Sequence, residues 1–175
     1  LSKYDSVHGV WMDIARKDHS IWSIHKREVQ YYQKENSHDI PKWSQWNIDV
    51  VVDATGVLKS RSELIGHLNQ GAKKVLLTAP SDDESIPMVV MGINDAEVFS
   101  SNIISCASCT TNSAAHMIQL IDEMCGIESS YITTVHSYTG DQRLHDAPHK
   151  DLRRARGAVQ SIVPTSTGAA KALTR

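Results

Sequence analysis

The sequence lacks four signals that would each assign it to a class of protein. No stretch approaches the roughly 18 to 20 uninterrupted apolar residues that a membrane-spanning helix needs. With 18 Lys and Arg against 20 Asp and Glu, the net charge of −2 provides no basic surface for nucleic acid or an acidic membrane. The 3 cysteines are too few for a secreted disulfide framework, and no signal peptide opens the chain. We therefore expect a reducing compartment and a protein that binds neither membranes nor nucleic acid.

The sequence does contain enough apolar residues for a folded core. Hydrophobic residues make up 41% of the 175 positions, and a chain of this size can bury about two thirds of the surface that its unfolded form exposes. The length allows one domain of ordinary size or two small pieces.

The order of predicted elements indicates an α/β fold with a parallel sheet. Apolar, β-branched runs predict strands at 48–53, 74–80, 88–91 and 103–105. A helix over 60–70 separates the first two, with Ser60 as N-cap, Glu63 three residues later and Gly71 at its end. A strand, a helix and a strand in this order predict a right-handed β-α-β unit. We also predict a helix over 113–124, ended by Gly126. Further strands are predicted at 131–136 and, as one strand, over Ile24 and 28–31. Loops are predicted at 33–46 and 139–150.

Cys109 is a candidate nucleophile because it lies just ahead of the helix predicted over 113–124. Unpaired N–H groups and the positive end of the helix dipole favour the thiolate there. The alternative is a small buried hydrophobic residue, the common role of a lone cysteine. Cys106 and Cys109 also form a C-x-x-C pair, but thioredoxin-like sites open the helix within the pair, whereas residues 110–112 are predicted to separate this pair from its helix. No second C-x-x-C completes a zinc site.

His136 ends the strand predicted after that helix and is a candidate base. If helix and strand pack side by side, the imidazole can approach the thiol, which is the pairing that covalent catalysis needs; a structural histidine is the alternative. Hydroxyls and cations that could form an anion site surround the two in sequence: Ser108, Thr110, Thr139, Thr167 beside Gly168, Arg153, Arg154 and Arg156. The arginines could equally form a solvated face or structural ion pairs. No G-x-G-x-x-G occurs, so the β-α-β unit is only compatible with dinucleotide binding.

Several motifs, taken in order, resemble one enzyme family. They are ASCTTN at 107–112, TVHSYT at 134–139, DQR at 141–143, HKDLRRAR at 149–156 and PTSTGAAK at 164–171, extended upstream by KYDSVHG at 3–9 and by Trp43. Together they resemble phosphorylating glyceraldehyde-3-phosphate dehydrogenase. The resemblance implies a partial Rossmann-type parallel sheet followed by the first part of an α+β catalytic domain. It places the remainder of a dinucleotide-binding domain at 1–107 and the start of the catalytic domain at 108–175. Because members of the family are about twice this length, it also implies an internal fragment.

The resemblance further implies the reaction and the groups that perform it. Cys109 would attack the aldehyde of glyceraldehyde 3-phosphate, a hydride would pass to NAD or NADP, and inorganic phosphate would release the acyl group from the thioester as 1,3-bisphosphoglycerate. His136 would activate the thiol and then hydrogen-bond the oxyanion. The other matching positions are Ser108, Thr110, Thr167 and Gly168 for inorganic phosphate, Thr139, Asp141 and Arg154 for the substrate phosphate, and Thr55, Gly56 and Thr78 for the cofactor. Pro148 resembles the NAD-preferring type, whereas Ala147 resembles the NADP-using photosynthetic type.

The sequence departs from the family at Cys106, and functions other than this dehydrogenase stay open. Cys106 stands where relatives usually have Asn, and it offers an oxidation partner for Cys109. Members of the family are homotetramers of glycolysis or carbon fixation, which implies a homotetrameric parent protein in the cytoplasm or the plastid. The alternatives are erythrose-4-phosphate dehydrogenase, against which the PTSTGA loop argues, and an inert fragment. A cysteine hydrolase is the weakest, because no Asp or Asn can be singled out to orient His136. We expect little or no dehydrogenase activity from these 175 residues alone.

Overall fold

A computed structural model describes residues 4–5, 9–10, 14–34, 36 and 38–173. It contains two compact units, Leu1–Asp39 and Ile40–Arg175. None of the helices formed by these described residues is long and apolar enough to cross a bilayer.

The first unit consists of antiparallel strands. Strands β1 (Tyr4–Asp5) and β2 (Gly9–Val10) pair with each other, and β3 (Ile14–Arg16), β4 (Ile21–Ile24) and β5 (Arg27–Gln30) form a three-stranded sheet in that order. The one strand predicted from Ile24 and 28–31 is therefore two strands: Ile24 ends β4, and residues 28–30 lie in β5. His25 and Lys26 connect the two with φ values of 48° and 64°, the left-handed pair that a two-residue hairpin turn requires.

A parallel sheet forms the centre of the second unit. Strands β6 (Val50–Asp53), β7 (Lys74–Leu77) and β8 (Ile103–Ser105) lie in that order, and both neighbouring pairs are parallel. Helix α1 (Arg61–Asn69) connects β6 to β7, which confirms the predicted β-α-β unit. The Glu63 carboxylate accepts a hydrogen bond from the Ser60 backbone N–H at 2.9 Å, so the predicted cap is formed. The other elements are α2 (Cys109–Cys125), α3 (Ala169–Leu173) and the 3₁₀ helices η1 (Trp43–Trp46) and η2 (Asp95–Phe99).

The core of this unit lies between α1 and the sheet. Its completely buried side chains are Leu58, Leu64, Val75, Leu77, Ile86 and Ile103. Each side chain of this kind stabilises the fold by about 1.5–3 kcal/mol relative to an exposed one. This packing fixes the ends of β6, β7 and β8, from which the chain enters the segments that carry the predicted site residues.

Two predicted strands are wrong. Of residues 88–91 only Met88 forms a β-bridge, with Ser105, because a turn starts at Val90, whose carbonyl accepts the Ile93 N–H at 3.0 Å. Residues 131–136 form no strand, and the described segment 126–168 contains neither helix nor strand. High β propensity does not make a strand unless a neighbouring strand pairs with it, and no described strand pairs with 131–136.

The helix predicted over 113–124 begins earlier, at Cys109. Its N-cap is Ser108, whose hydroxyl oxygen accepts the Thr111 N–H at 3.0 Å and so satisfies one of the unpaired N–H groups of the first turn. Gly126 ends the helix as predicted, with φ of 73°. The predicted domain boundary between residues 107 and 108 stays a prediction.

Candidate active site

The N-terminus of α2 presents Cys109 at the end of a tightly held connection from β8. Ala107 has a left-handed φ of 57°, and its N–H donates to the Ser105 hydroxyl at 3.0 Å. The Asn112 side-chain amide donates to the carbonyls of Cys106 and Ser108, both at 2.8 Å. These bonds fix the backbone before the helix, so that Cys109 is its first residue and lies at the positive end of the helix dipole.

The thiol of Cys109 and the imidazole of His136 form a hydrogen-bonded pair. Their Sγ and Nε2 atoms are 3.2 Å apart, and His136 Nδ1 lies 2.6 Å from the Ser137 carbonyl oxygen. Because a carbonyl only accepts, Nδ1 carries a proton and Nε2 faces the sulfur. The predicted approach of the two side chains is therefore observed, although His136 lies in an irregular segment and not at a strand end.

The surroundings of the pair favour its charged form. The hydrogen bond with His136 is the main cause that lowers the pKa of Cys109, and the Thr110 backbone N–H adds to it, while burial opposes both. The Ser137 carbonyl is the main cause that raises the pKa of His136, followed by the hydrogen bond with Cys109. The two groups share one coupled titration. The arrangement can hold a thiolate beside an imidazolium, which is an activated nucleophile.

A cavity of about 400 Å³ opens beside Cys109. The predicted residues that line it are Ser108, Cys109, Thr110, Arg154, Thr167 and Gly168. Sequence reasoning missed the other eight lining residues, among them Lys59, Asp82 and Ser166. Lys59 and Asp82 follow β6 and β7, so the rule that ligands gather beyond the carboxyl ends of parallel strands could have found them. The cavity therefore joins the thiol to hydroxyls and cations that can bind an anion.

Arg154 is held in this cavity by Asp141, which does not line it, and by Ser166, which does. Its Nη1 donates to Asp141 at 2.9 Å and its Nη2 to the Ser166 carbonyl at 3.2 Å. Asp141 thus contacts Arg154 without lining the cavity, and the Thr139 N–H donates to Gln142 at 3.2 Å. The other two arginines form ion pairs, Arg153 with Asp151 and Arg156 with Asp146. Structural ion pairs were the alternative predicted for this arginine cluster.

The predicted cofactor residues Thr55 and Thr78 are brought together at one edge of the sheet. Both follow strand ends, and both donate hydrogen bonds to Asp53: Thr55 to its side chain and Thr78 to its carbonyl. Gly56 adopts φ of 69°, and a Cβ there would meet no atom within 4 Å. The backbone at Gly56 is therefore open on the side where a Cβ would lie. Pro148 lies in the segment 126–168, where its carbonyl accepts the Arg143 Nε–H at 3.1 Å.

Cys106 is not bonded to Cys109. Its thiol donates to the Leu77 carbonyl at 3.1 Å, and all three cysteines are free thiols. The helix begins at the second cysteine of the C-x-x-C pair, so the predicted separation by residues 110–112 is wrong. The N-cap, Ser108, lies between the two cysteines, and the first cysteine, Cys106, precedes the helix. In the described part of the chain no three His, Cys, Asp or Glu side chains are grouped as a metal site would need.

A larger cavity, of about 670 Å³, lies near the start of α1. It is lined by none of the predicted site residues. The Arg61 guanidinium at its wall is already bonded to Ser85 and Ser101. We therefore assign the chemistry to the smaller cavity, which contains the thiol.

Two family models match the chain. Residues 108–175 match glyceraldehyde 3-phosphate dehydrogenase, C-terminal domain, and residues 1–61 match glyceraldehyde 3-phosphate dehydrogenase, NAD binding domain. Together the matches cover more than half of the chain. The second match agrees with the prediction of NAD or NADP as cofactor.

Curated proteins from several bacteria are similar along nearly the whole chain. Glyceraldehyde-3-phosphate dehydrogenase 2 of Bacillus subtilis is 45% identical over 99% of the chain and 51% of the relative. Glyceraldehyde-3-phosphate dehydrogenase of Thermotoga maritima is 45% identical over 99% and 52%. Glyceraldehyde-3-phosphate dehydrogenase 2 of Nostoc sp. is 48% identical over 99% and 52%. The chain thus spans about half the length of the curated relatives that it matches.

Proposed function

The chain belongs to the glyceraldehyde-3-phosphate dehydrogenase family, and from this premise we propose that its protein oxidises glyceraldehyde 3-phosphate with NAD or NADP and transfers the acyl group to inorganic phosphate. The observation that carries the proposal is the 3.2 Å contact between Cys109 Sγ and His136 Nε2 at the start of a helix. A thiolate in this position can form and release a covalent acyl intermediate.

Cys109 and His136 perform the covalent steps. The Cys109 thiolate attacks the aldehyde carbon, and the carbonyl electron pair moves to oxygen, which the His136 Nε2–H stabilises by a hydrogen bond. The nicotinamide, when bound, supplies the acceptor for the hydride that leaves this carbon. The Nε2–H proton passes to this oxygen in the thiohemiacetal, and the imidazole takes it back as the hydride leaves and the carbonyl of the thioester forms. Residues Thr55, Gly56 and Thr78 would hold the dinucleotide.

The cavity beside Cys109 supplies the phosphate sites. The Ser108, Thr110 and Thr167 side chains offer hydroxyl donors, and Arg154 offers a guanidinium fixed by Asp141. Together with the free N–H groups at the start of α2, these groups suit a phosphate oxygen that must approach the acyl carbon. Arg154, held by Asp141, would bind the substrate phosphate together with Thr139. Ser108, Thr110, Thr167 and Gly168 would bind inorganic phosphate.

We also propose a homotetramer in the cytoplasm or the plastid, as the family resemblance implies. Large apolar side chains of the segment 126–168 support this proposal, because Tyr131, Val135 and Ile162 are at least 89% exposed. Exposed apolar side chains of this kind are typical of a surface that another protein chain covers. Sedimentation of the whole protein as a monomer would contradict this proposal.

The reverse of the last chemical step tests the reaction without a cofactor. With 1,3-bisphosphoglycerate, the Cys109 thiolate should displace phosphate and leave a phosphoglyceroyl thioester, which peptide mass spectrometry locates. We expect the adduct on Cys109, its loss in Cys109→Ser and its retention in Cys125→Ser, since Cys125 lies at the other end of α2. Equal labelling of Cys125, or no thioester on Cys109, would refute the proposed chemistry.

A further inference from the structure

Asp53 at the end of β6 is a buried acidic residue that the chemical steps do not use. Its side chain is 1% exposed. One carboxylate oxygen, Oδ1, accepts the Thr55 N–H at 3.0 Å and the Thr55 hydroxyl at 2.8 Å. Its backbone carbonyl accepts the Thr78 N–H at 3.0 Å and the Thr78 hydroxyl at 3.1 Å. One residue thus fixes both threonines of the cofactor edge.

His67 of α1 holds the other carboxylate oxygen. His67 Nε2 lies 3.3 Å from Asp53 Oδ2, and both side chains are at least nine-tenths buried. The Trp43 indole N–H points at His67 Nδ1, at 3.0 Å. Because an indole N–H can only donate, Nδ1 must accept, and the imidazole proton lies on Nε2 and is donated to Asp53. The Trp43 ring also stacks on the imidazole, with centroids 5.8 Å apart.

These bonds decide what the threonines can offer a ligand. The Thr55 hydroxyl gives its proton to Asp53 and accepts the Val57 N–H at 3.2 Å. The Thr78 hydroxyl gives its proton to the Asp53 carbonyl. Neither hydroxyl has a proton left for a cofactor. The turn instead exposes the backbone at Gly56, where the space next to Cα is empty for 4 Å.

We infer that Asp53, His67 and Trp43 are positioning residues for the cofactor edge, and that this edge meets the dinucleotide through the backbone of the Thr55–Gly56 turn and not through the threonine hydroxyls. The inference rests on the proposed function, because it takes NAD or NADP as the ligand of this edge. The three side chains act in series: Trp43 fixes the tautomer of His67, His67 fixes the rotamer of Asp53, and Asp53 fixes the turn. The Asp53–His67 link is shielded from water, because both side chains are at least nine-tenths buried.

The test uses two variants that each break one link and keep the shape of the side chain. Trp43→Phe keeps a stacked ring and removes the N–H. In Asp53→Asn the amide NH₂ faces a donor in either orientation, the Thr55 N–H and hydroxyl or the His67 Nε2–H. Trp46→Phe, in the same 3₁₀ helix, is the matched control. Amide hydrogen exchange is followed at Thr55 and Thr78, with Val75 as the internal reference because its N–H donates to Asn102 within the sheet region. The same labelled chains are titrated with NAD, with the Gly56 amide signal as the readout.

The expected result is exchange at Thr55 about tenfold faster than in the wild type after correction by Val75, since one lost hydrogen bond corresponds to roughly this factor. Exchange at Thr78 should change less, because its N–H donates to the Asp53 backbone carbonyl, which both variants keep. NAD affinity should fall by about the same factor, the Trp46→Phe control should change neither, and the wild-type imidazole nitrogen spectrum should show the Nε2–H tautomer. Exchange that changes only in parallel with Val75 would mean a general structural role and overturn the inference. Faster exchange with unchanged NAD affinity would overturn its cofactor role. A wild-type chain that gives no NAD shift would instead count against the proposed function, while exchange would still decide the positioning role.

Discussion

The turn after helix α1 gives a stability prediction whose magnitude follows from the structure. Gly71 has φ of 102°, and a Cβ there would lie 2.7 Å from Ser44 Cβ and 2.9 Å from the Ser44 backbone nitrogen. Ser44 cannot easily retreat, because its N–H donates to the Gln70 carbonyl at 2.9 Å. In Gly71→Ala the left-handed backbone costs about 1–3 kcal/mol and the contact with fixed backbone adds about 1–3 kcal/mol. We therefore expect a loss of roughly 2–6 kcal/mol in the free energy of unfolding.

Urea unfolding followed by far-ultraviolet circular dichroism measures this loss, since the helices of the described chain lie in the second unit. Two other glycines separate the causes. Gly126 has a left-handed φ of 73° with open space around an added Cβ, whereas Gly140 has open space and no such φ. Gly126→Ala should show backbone strain alone, and Gly140→Ala should match the wild type within about 0.5 kcal/mol. If Gly71→Ala is as stable as Gly140→Ala, the turn and its contact with Ser44 are not as we describe.

Three further predictions concern the core, a carboxylate and the helix cap. Leu77→Ala should lower the free energy of unfolding by about 2–5 kcal/mol, because Leu77 is completely buried. Leu144 is exposed, so Leu144→Ala should match the wild type within about 0.5 kcal/mol. Equal urea midpoints of the two variants would contradict the assigned core. The Ser85 hydroxyl and the Arg61 and Ser85 N–H groups lower the pKa of Asp83 from 3.8 to about 2. The Asp83 carboxylate therefore stabilises the fold fully at pH values above 3.8, and this contribution is lost as the pH falls toward 2. Asp83→Asn should flatten the acid side of the stability profile between pH about 4 and about 2, and an unaltered slope there would reject the assignment. Ser108→Ala should lower the free energy of unfolding by about 1 kcal/mol, and Ser108→Asp should lower it much less, because Asp also caps helices. Thermal unfolding measures both, and equal losses in the two variants would show that Ser108 is not the cap.

Local signals explain which elements of the fold could be predicted. The α1 helix was predictable because its cap, Ser60 with Glu63, and its stop, Gly71, lie within the helix and next to it. The start of α2 was not, because Thr110, Thr111 and Asn112 favour non-helical backbone. The contacts that compensate, of Ser108 with Thr111 and of Asn112 with the Cys106 and Ser108 carbonyls, form only in the folded chain. The segment 131–136 was misjudged because strand formation depends on a partner strand, which no single segment reveals.

The site was predictable in its residues but not in its construction. The pairing of Cys109 with His136 followed from their order along the chain, although it was expected through a strand that is not formed. Lys59 and Asp82 were missed because they reach the cavity from loops whose course depends on the tertiary fold. The role of Asp53 was hidden for the same reason, since Trp43 and His67 come from separate elements.

The ionisation of Cys109 by His136 is the central claim, and the pH dependence of alkylation measures it most directly. The rate of iodoacetamide labelling at Cys109 is followed by peptide mass spectrometry across pH in the wild type and in His136→Asn, with Cys125 in each chain as internal reference. Because the hydrogen bond to His136 lowers the pKa of Cys109, the wild-type profile should rise at lower pH than that of the variant, while the Cys125 profiles coincide. Superimposable Cys109 profiles in the two chains would show that the imidazole does not ionise the thiol.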